Sequence, residues 1–176
     1  ESLALQVLAN IMDGGNSTRL YQRLVNERGI ASNVSLAYRS DVLGPAELRI
    51  SATPVEGIRL EKLEKEIESE LAKIRTEAPG EREVQQAITR LQNEAIYARD
   101  SLKGPAMIIG HGLTTGSTLK EIETWPQQLA DFTAQDVRHV ADKYLRSQPK
   151  GAWRAPVTGL LRPAKETKSK SDANSE

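Results

Sequence analysis

Apolar residues fall on a single stripe from the start of the chain. Ala4, Val7, Leu8 and Ile11 are spaced i, i+3, i+4 and i+7, the period of an amphipathic helix, and Gly14-Gly15 supplies its stop. Asn16 or Ser17 is placed to cap a second helix, whose stripe of Leu20 and Leu24 runs until Gly29. The period then changes to two. Val34, Leu36 and Tyr38 alternate with Ser35, Ala37 and Arg39, and Leu48, Ile50 and Ala52 repeat the alternation beyond Leu43-Gly44-Pro45, which predicts an antiparallel hairpin. Leu60, Leu63, Ile67, Leu71 and Ile74 predict a long helix, with Glu61 and Lys65 paired on its outer face, until Pro79-Gly80 ends it. Val84, Ile88, Leu91 and Ala95 define another, extending as far as Leu102, and a short helix follows Gly104-Pro105.

Two further helices are announced by their first turns. Thr118 with Glu121 and Thr133 with Asp136 have the spacing of capping boxes, each just ahead of an apolar stripe. Val157 to Leu161 reads as a last strand, and the Lys- and Ser-rich residues beyond it lack an apolar anchor and read as a disordered tail over 164–176. Helices outnumber strands, and the neighbouring strands form a hairpin rather than crossovers. The expected fold is therefore α+β, an antiparallel sheet with helices packed on one face, over a single domain of residues 1–163. Three strands make a thin sheet with exposed edges, so further strands are expected upstream.

Composition narrows the partners. Among 176 residues, 24 Lys+Arg balance 24 Asp+Glu, which removes the basic footprint of nucleic-acid or anionic-membrane binding. No apolar run approaches the ~18 to 20 residues of a bilayer span. The chain has no Cys, which excludes disulfides and thiolate metal sites but leaves the compartment open. It begins at Glu1 with a helical pattern almost at once and reads as a part of a longer protein.

Candidate chemistry is sparse. His111 and His139 lie far apart, and neither has the partners of an H-x-x-E-H arrangement, so no metal ligand or catalytic residue is assigned. His111, between Gly110 and Gly112, reads as a helix or loop histidine in preference to a general acid or ligand, and His139 as an ordinary residue of an amphipathic helix. Gly14-Gly15-Asn16-Ser17-Thr18 lacks the terminal Lys of a phosphate loop and joins two helices, which favours capping. Glu61, Glu64, Glu66, Glu68 and Glu70 read as a solvated helix face, and Trp125 and Trp153 as residues packed against the sheet in preference to partner anchors.

Several separated motifs carry a family resemblance. Residues 14–31, GGNSTRLYQRLVNERGIA, resemble the Gly-rich turn, Ser-Arg-Leu and Arg-Gly-Leu-Ala pattern of pitrilysin/insulinase-type zinc peptidases. Asp100-Ser101-Leu102 to Pro105-Ala106, Gly112 to Gly116, Glu123-Thr124-Trp125-Pro126, Thr133 to Val137 and Val157 to Leu161 follow in register, so the likeness spans Leu3 to Pro163. The chain resembles the C-terminal domain of the small bacterial two-domain members. The resemblance implies a metallopeptidase half of the LuxS/mitochondrial processing peptidase-like type, with its first two strands preceding the first helix found here. It also implies an upstream partner domain that bears zinc and the catalytic base, and a peptide substrate enclosed between the halves. Active members often place an Arg and then a Tyr against substrate; the matching positions are Val25 and Ser32, which lack that chemistry. This implies a second peptidase-like subunit that lends both groups, and a periplasmic setting if the parent carries a signal peptide. The alternatives are a purely structural scaffold, as in peptidase-like core subunits of respiratory complexes, and a freestanding α+β binding module.

Overall fold

A computed structural model describes residues 1–146 and 156–162. The elements run α1 (Ser2–Asp13), a π-helix (Tyr21–Glu27), β1 (Ala31–Arg39), β2 (Glu47–Pro54), α2 (Leu60–Thr76), α3 (Glu81–Asp100), α4 (Gly104–Thr114), α5 (Leu119–Gln128) and α6 (Ala134–Tyr144). Trp153 and residues 164–176 lie outside the described residues.

α1 is the centre of the core. Ala4, Leu5, Val7, Leu8, Ile11 and Met12 are buried on more than one side of it, as expected of a helix apolar around most of its circumference. It packs against α3, α6 and β1. Val84 and Ile88 of α3 and Val137 and Val140 of α6 are buried in the same core, as are Leu63 and Ile74 of α2, which packs on α6 and β2. Both capping boxes form: Thr118 and Thr133 accept the backbone N–H of Glu121 and Asp136, and each carboxylate returns a bond to the backbone N–H of its threonine.

The hairpin pairs in the register the alternation predicts, Leu36 opposite Ile50 and Tyr38 opposite Leu48. Val34 and Leu36 are buried while Ser35, Ala37 and Arg39 face outward, so the helices cover one face only. The Leu36 N–H points away from β2 and donates to Asp13 Oδ2 at 2.7 Å, so the carboxylate at the end of α1 occupies the free edge of β1.

Four expectations need correction. Among the described residues the sheet has two strands. Val157 to Leu161 forms no strand, because no neighbouring strand meets its backbone groups; Val157 is 92% exposed, and the segment is anchored where Arg162 pairs with Glu61. Glu61 accordingly pairs with Arg162 and Arg59 rather than Lys65. Glu70 is not on a solvated face: it stands seven residues after Leu63 and four before Ile74, on the buried stripe of α2, where Lys73 donates to it at 2.7 Å. Trp125 packs against the core, its indole N–H donating to Gln6 Oε1 of α1 at 2.7 Å.

The second helix also departs from expectation. Helical geometry begins at Arg19 and passes at once into the π-helix, with Arg28 N–H bonded to the Arg23 carbonyl, and neither Asn16 nor Ser17 caps it. The expectation rested on Leu20 and Leu24 alone, and a spacing of four suits the wider coil as well as the α-helix.

Candidate functional site

The π-helix is held at both ends by arginines that reach different helices. Arg19, at its entry, makes a two-pronged bond to Glu83 on α3 with lengths of 2.7 and 2.8 Å. The Glu83 carboxylate raises the affinity of that guanidinium for its proton. Arg28, at its exit, pairs with Glu66 and lies 3.8 Å from Glu70 on α2. Fixed at two points, the coil keeps Leu20 and Leu24 fully buried. Gly29 follows with φ of +57°, a conformation that favours glycine, and turns the chain into β1.

Both positions marked by the family resemblance lie on this irregular backbone. Val25 is in the last turns of the π-helix, half-buried against the core. Ser32 is the extra residue of a β-bulge, where the register shifts between Ala31 and Asn33. The Ser32 hydroxyl donates to the Thr53 carbonyl at 3.2 Å. Wide helical turns and bulges re-aim side chains, and both recur at functional sites. Here the aimed residues are an alkyl group with no polar atom and a short hydroxyl already bonded, so neither can ion-pair with a peptide or donate to a developing oxyanion.

The histidines are not brought together with other ligands. His111 stands on the exposed side of α4, its Nε2 2.8 Å from Asp41 Oδ2 in the hairpin loop. His139 is exposed on α6, in an open depression with Gln135, Asp136, Arg138 and Asp142. Among the described residues no group of three or more His, Cys, Asp or Glu could hold a metal ion. A zinc site needs three or four such ligands converging on one point, so these residues do not fit one. No helix among the described residues is long and apolar enough to cross a membrane.

Sequence reasoning missed the two arginine clamps. Arg19 and Arg28 stand in the family-like stretch, but their partners lie at Glu83, Glu66 and Glu70, distant in sequence, and only the buried phase of Glu70 carried a signal.

The described residues form an antiparallel hairpin covered by helices on one face, an α+β architecture. Residues 1–91 match the family model described as the peptidase M16 inactive domain, and the chain belongs to that family. A protein from Rickettsia felis named as a zinc protease is 28% identical over 142 residues, 81% of this chain and 34% of its own length. The chain thus spans about a third of that curated relative. Among solved structures, a protease from Helicobacter pylori superposes with a TM-score of 0.74 at 22% identity, over 82% of this chain and 35% of its own. The inactive peptidase domain of a candidate zinc protease from Bordetella parapertussis gives 0.72 at 17% identity, over 82% of this chain and 77% of its own. The α+β expectation and the family resemblance therefore hold, and the chain is an inactive, peptidase-like domain of the zinc-protease type.

Proposed function

We propose that this domain is the second half of a zinc peptidase, closing over a peptide that is cut by a zinc-bearing domain elsewhere in the same polypeptide. The observation that supports this reading most strongly is the match of residues 1–91 to the inactive domain family, joined to a relative named as a zinc protease of which this chain spans 34%. The zinc belongs to that other domain. The open edge of β2 is where further strands of the polypeptide extend the sheet.

Val25 and Ser32 sharpen the proposal. The segment that carries them is held by Arg19 and Arg28, yet at these two positions it presents no guanidinium or phenol. Efficient cleavage then depends on a second peptidase-like subunit that supplies an Arg and a Tyr. The same loss suits a scaffold without hydrolytic activity, and one experiment separates the two. Peptide cleavage and zinc content are measured on the full-length polypeptide alone, then mixed with a family subunit that retains both groups. Zinc with little turnover alone and full turnover in the mixture supports the proposal. Full turnover alone removes the borrowed-residue part, and an absence of both zinc and turnover in any mixture leaves the scaffold. If the full-length protein carries a signal peptide, its site of action is the periplasm.

A further inference from the structure

α4 is apolar along most of its length, yet none of its residues is buried. Met107 is 70% exposed, and Tyr97 on α3 and Leu102 in the turn between the helices are 72% and 99% exposed. Ile96, Ile108 and Leu113 belong to the same group of open apolar side chains. Single exposed apolar residues are ordinary, but this many on two consecutive, packed helices mark an interaction surface. Asp41 binds His111 and so brings the hairpin loop, with its exposed Leu43, to the side of α4.

The glycines of α4 carry a second and independent sign. A Cβ at Gly104 would stand 2.1 Å from the Ala98 carbonyl oxygen, and one at Gly112 would stand 2.6 Å from Ile122 Cδ1. Those two let α4 press against α3 and α5. Gly110 has no such neighbour: a Cβ there would meet nothing within 4 Å. Glycine is disfavoured in a helix interior, and nothing within the described chain explains it at this position. It lies between Met107 and Leu113, three residues from each and on their stripe. A low point flanked by two open apolar side chains is the relief that accepts a closely approaching backbone.

We propose that the α3–α4 face centred on Gly110 is the seat on which the remaining, zinc-bearing part of the same polypeptide packs. This inference rests on the two-part reading above. The relative from Rickettsia felis has about two-thirds of its length outside the match, since the chain spans 34% of it. A tethered domain meets this face at an effective concentration on the order of millimolar, far above that of a second free copy. The occupant is therefore the rest of the chain, and its contacting element is apolar with backbone close to Gly110.

Thiol labelling of the full-length polypeptide tests this, in a background where cysteines outside this segment are replaced; the segment itself has none. Met107→Cys is compared with Gln135→Cys on the exposed side of α6, each rate normalised to that in denaturant. Met107→Cys is expected to label roughly tenfold or more slowly at all protein concentrations, because access requires opening of the seam. Adding Gly110→Phe is expected to restore fast labelling by wedging the seam apart. Fast labelling of Met107→Cys without the wedge overturns the proposal, as does no response to the wedge. Protection that vanishes on dilution also overturns it, in favour of a second copy. Zinc content and peptide cleavage of the same preparations report separately on the two-part reading: zinc and turnover with an open Met107→Cys would sink this inference alone.

Discussion

The Arg90 side chain on α3 holds both oxygens of Asn10 on α1: Nε donates to the side-chain Oδ1 at 2.8 Å and Nη2 to the backbone carbonyl at 3.2 Å. Asn10 is a buried polar residue on the most buried helix, and its carbonyl lies in the last turn, where no intrahelical donor remains. Arg90→Met keeps much of the aliphatic packing and strands both acceptors. The expected loss is about 1 to 3 kcal/mol in chemical denaturation. An unchanged midpoint would show that water satisfies Asn10 without help.

Leu63 is 3% exposed on the sheet-facing stripe of α2, and Glu64 beside it is half-buried. Leu63→Asp places an unpaired charge among apolar neighbours and is expected to cost more than about 3 kcal/mol, whereas Glu64→Gln is expected to stay near the parent. Thermal melts of the two variants decide. Equal melting temperatures would mean that the stripe is assigned to the wrong side.

The same substitution should have opposite signs at two glycines. Gly110→Ala meets open space and removes a flexible residue from a helix interior, so this chain should gain about 0.5 to 1 kcal/mol. At Gly14 an added Cβ would stand 2.5 Å from the Asn10 carbonyl oxygen, and Gly14→Ala should cost about 1 to 3 kcal/mol. Denaturant titrations of both variants check the pair.

The capping carboxylates make the fold sensitive to acid. Hydrogen bonds from the Thr133 side chain and then its backbone hold the Asp136 carboxyl below its usual range, and bonds from the Thr118 backbone and then its side chain do the same for Glu121. A depressed folded value means that these groups contribute their full stability above the ordinary carboxylate range of about 4 and lose it as pH falls through the lowered values. Melting temperature should therefore decline on the acid side, and the decline should flatten in the double variant Glu121→Gln and Asp136→Asn. An identical acid profile in that variant would remove the boxes as its source.

Most of the scaffold was legible because it is periodic or locally signalled. α1, α2 and α3 repeat apolar residues at the helical period, the hairpin alternates, and the two Thr-x-x-acid boxes lie within four residues. What was not legible depends on residues distant in sequence. The π-helix looks like an α-helix when only Leu20 and Leu24 mark its phase. Val157 to Leu161 has the apolar content of a short strand, but a strand exists only where a neighbour accepts its hydrogen bonds. At the candidate site, the absence of a guanidinium or phenol at Val25 and Ser32 follows from residue identity. The clamps of Arg19 and Arg28 and the bulge at Ser32 do not, since they are set by α2, α3 and Thr53.

The carboxylate of Asp13 on the Leu36 N–H gives the sheet a direction of growth. A foreign strand approaching β1 finds its donor already taken, while β2 has no strand partner on its far side among the described residues. Strand association of two copies is therefore favoured as β2 to β2. Such a pairing is two-fold symmetric and uses up both open edges at once, leaving a four-stranded sheet plugged at each margin by Asp13. Edge-to-edge addition through β2 thus favours a closed pair over an open array.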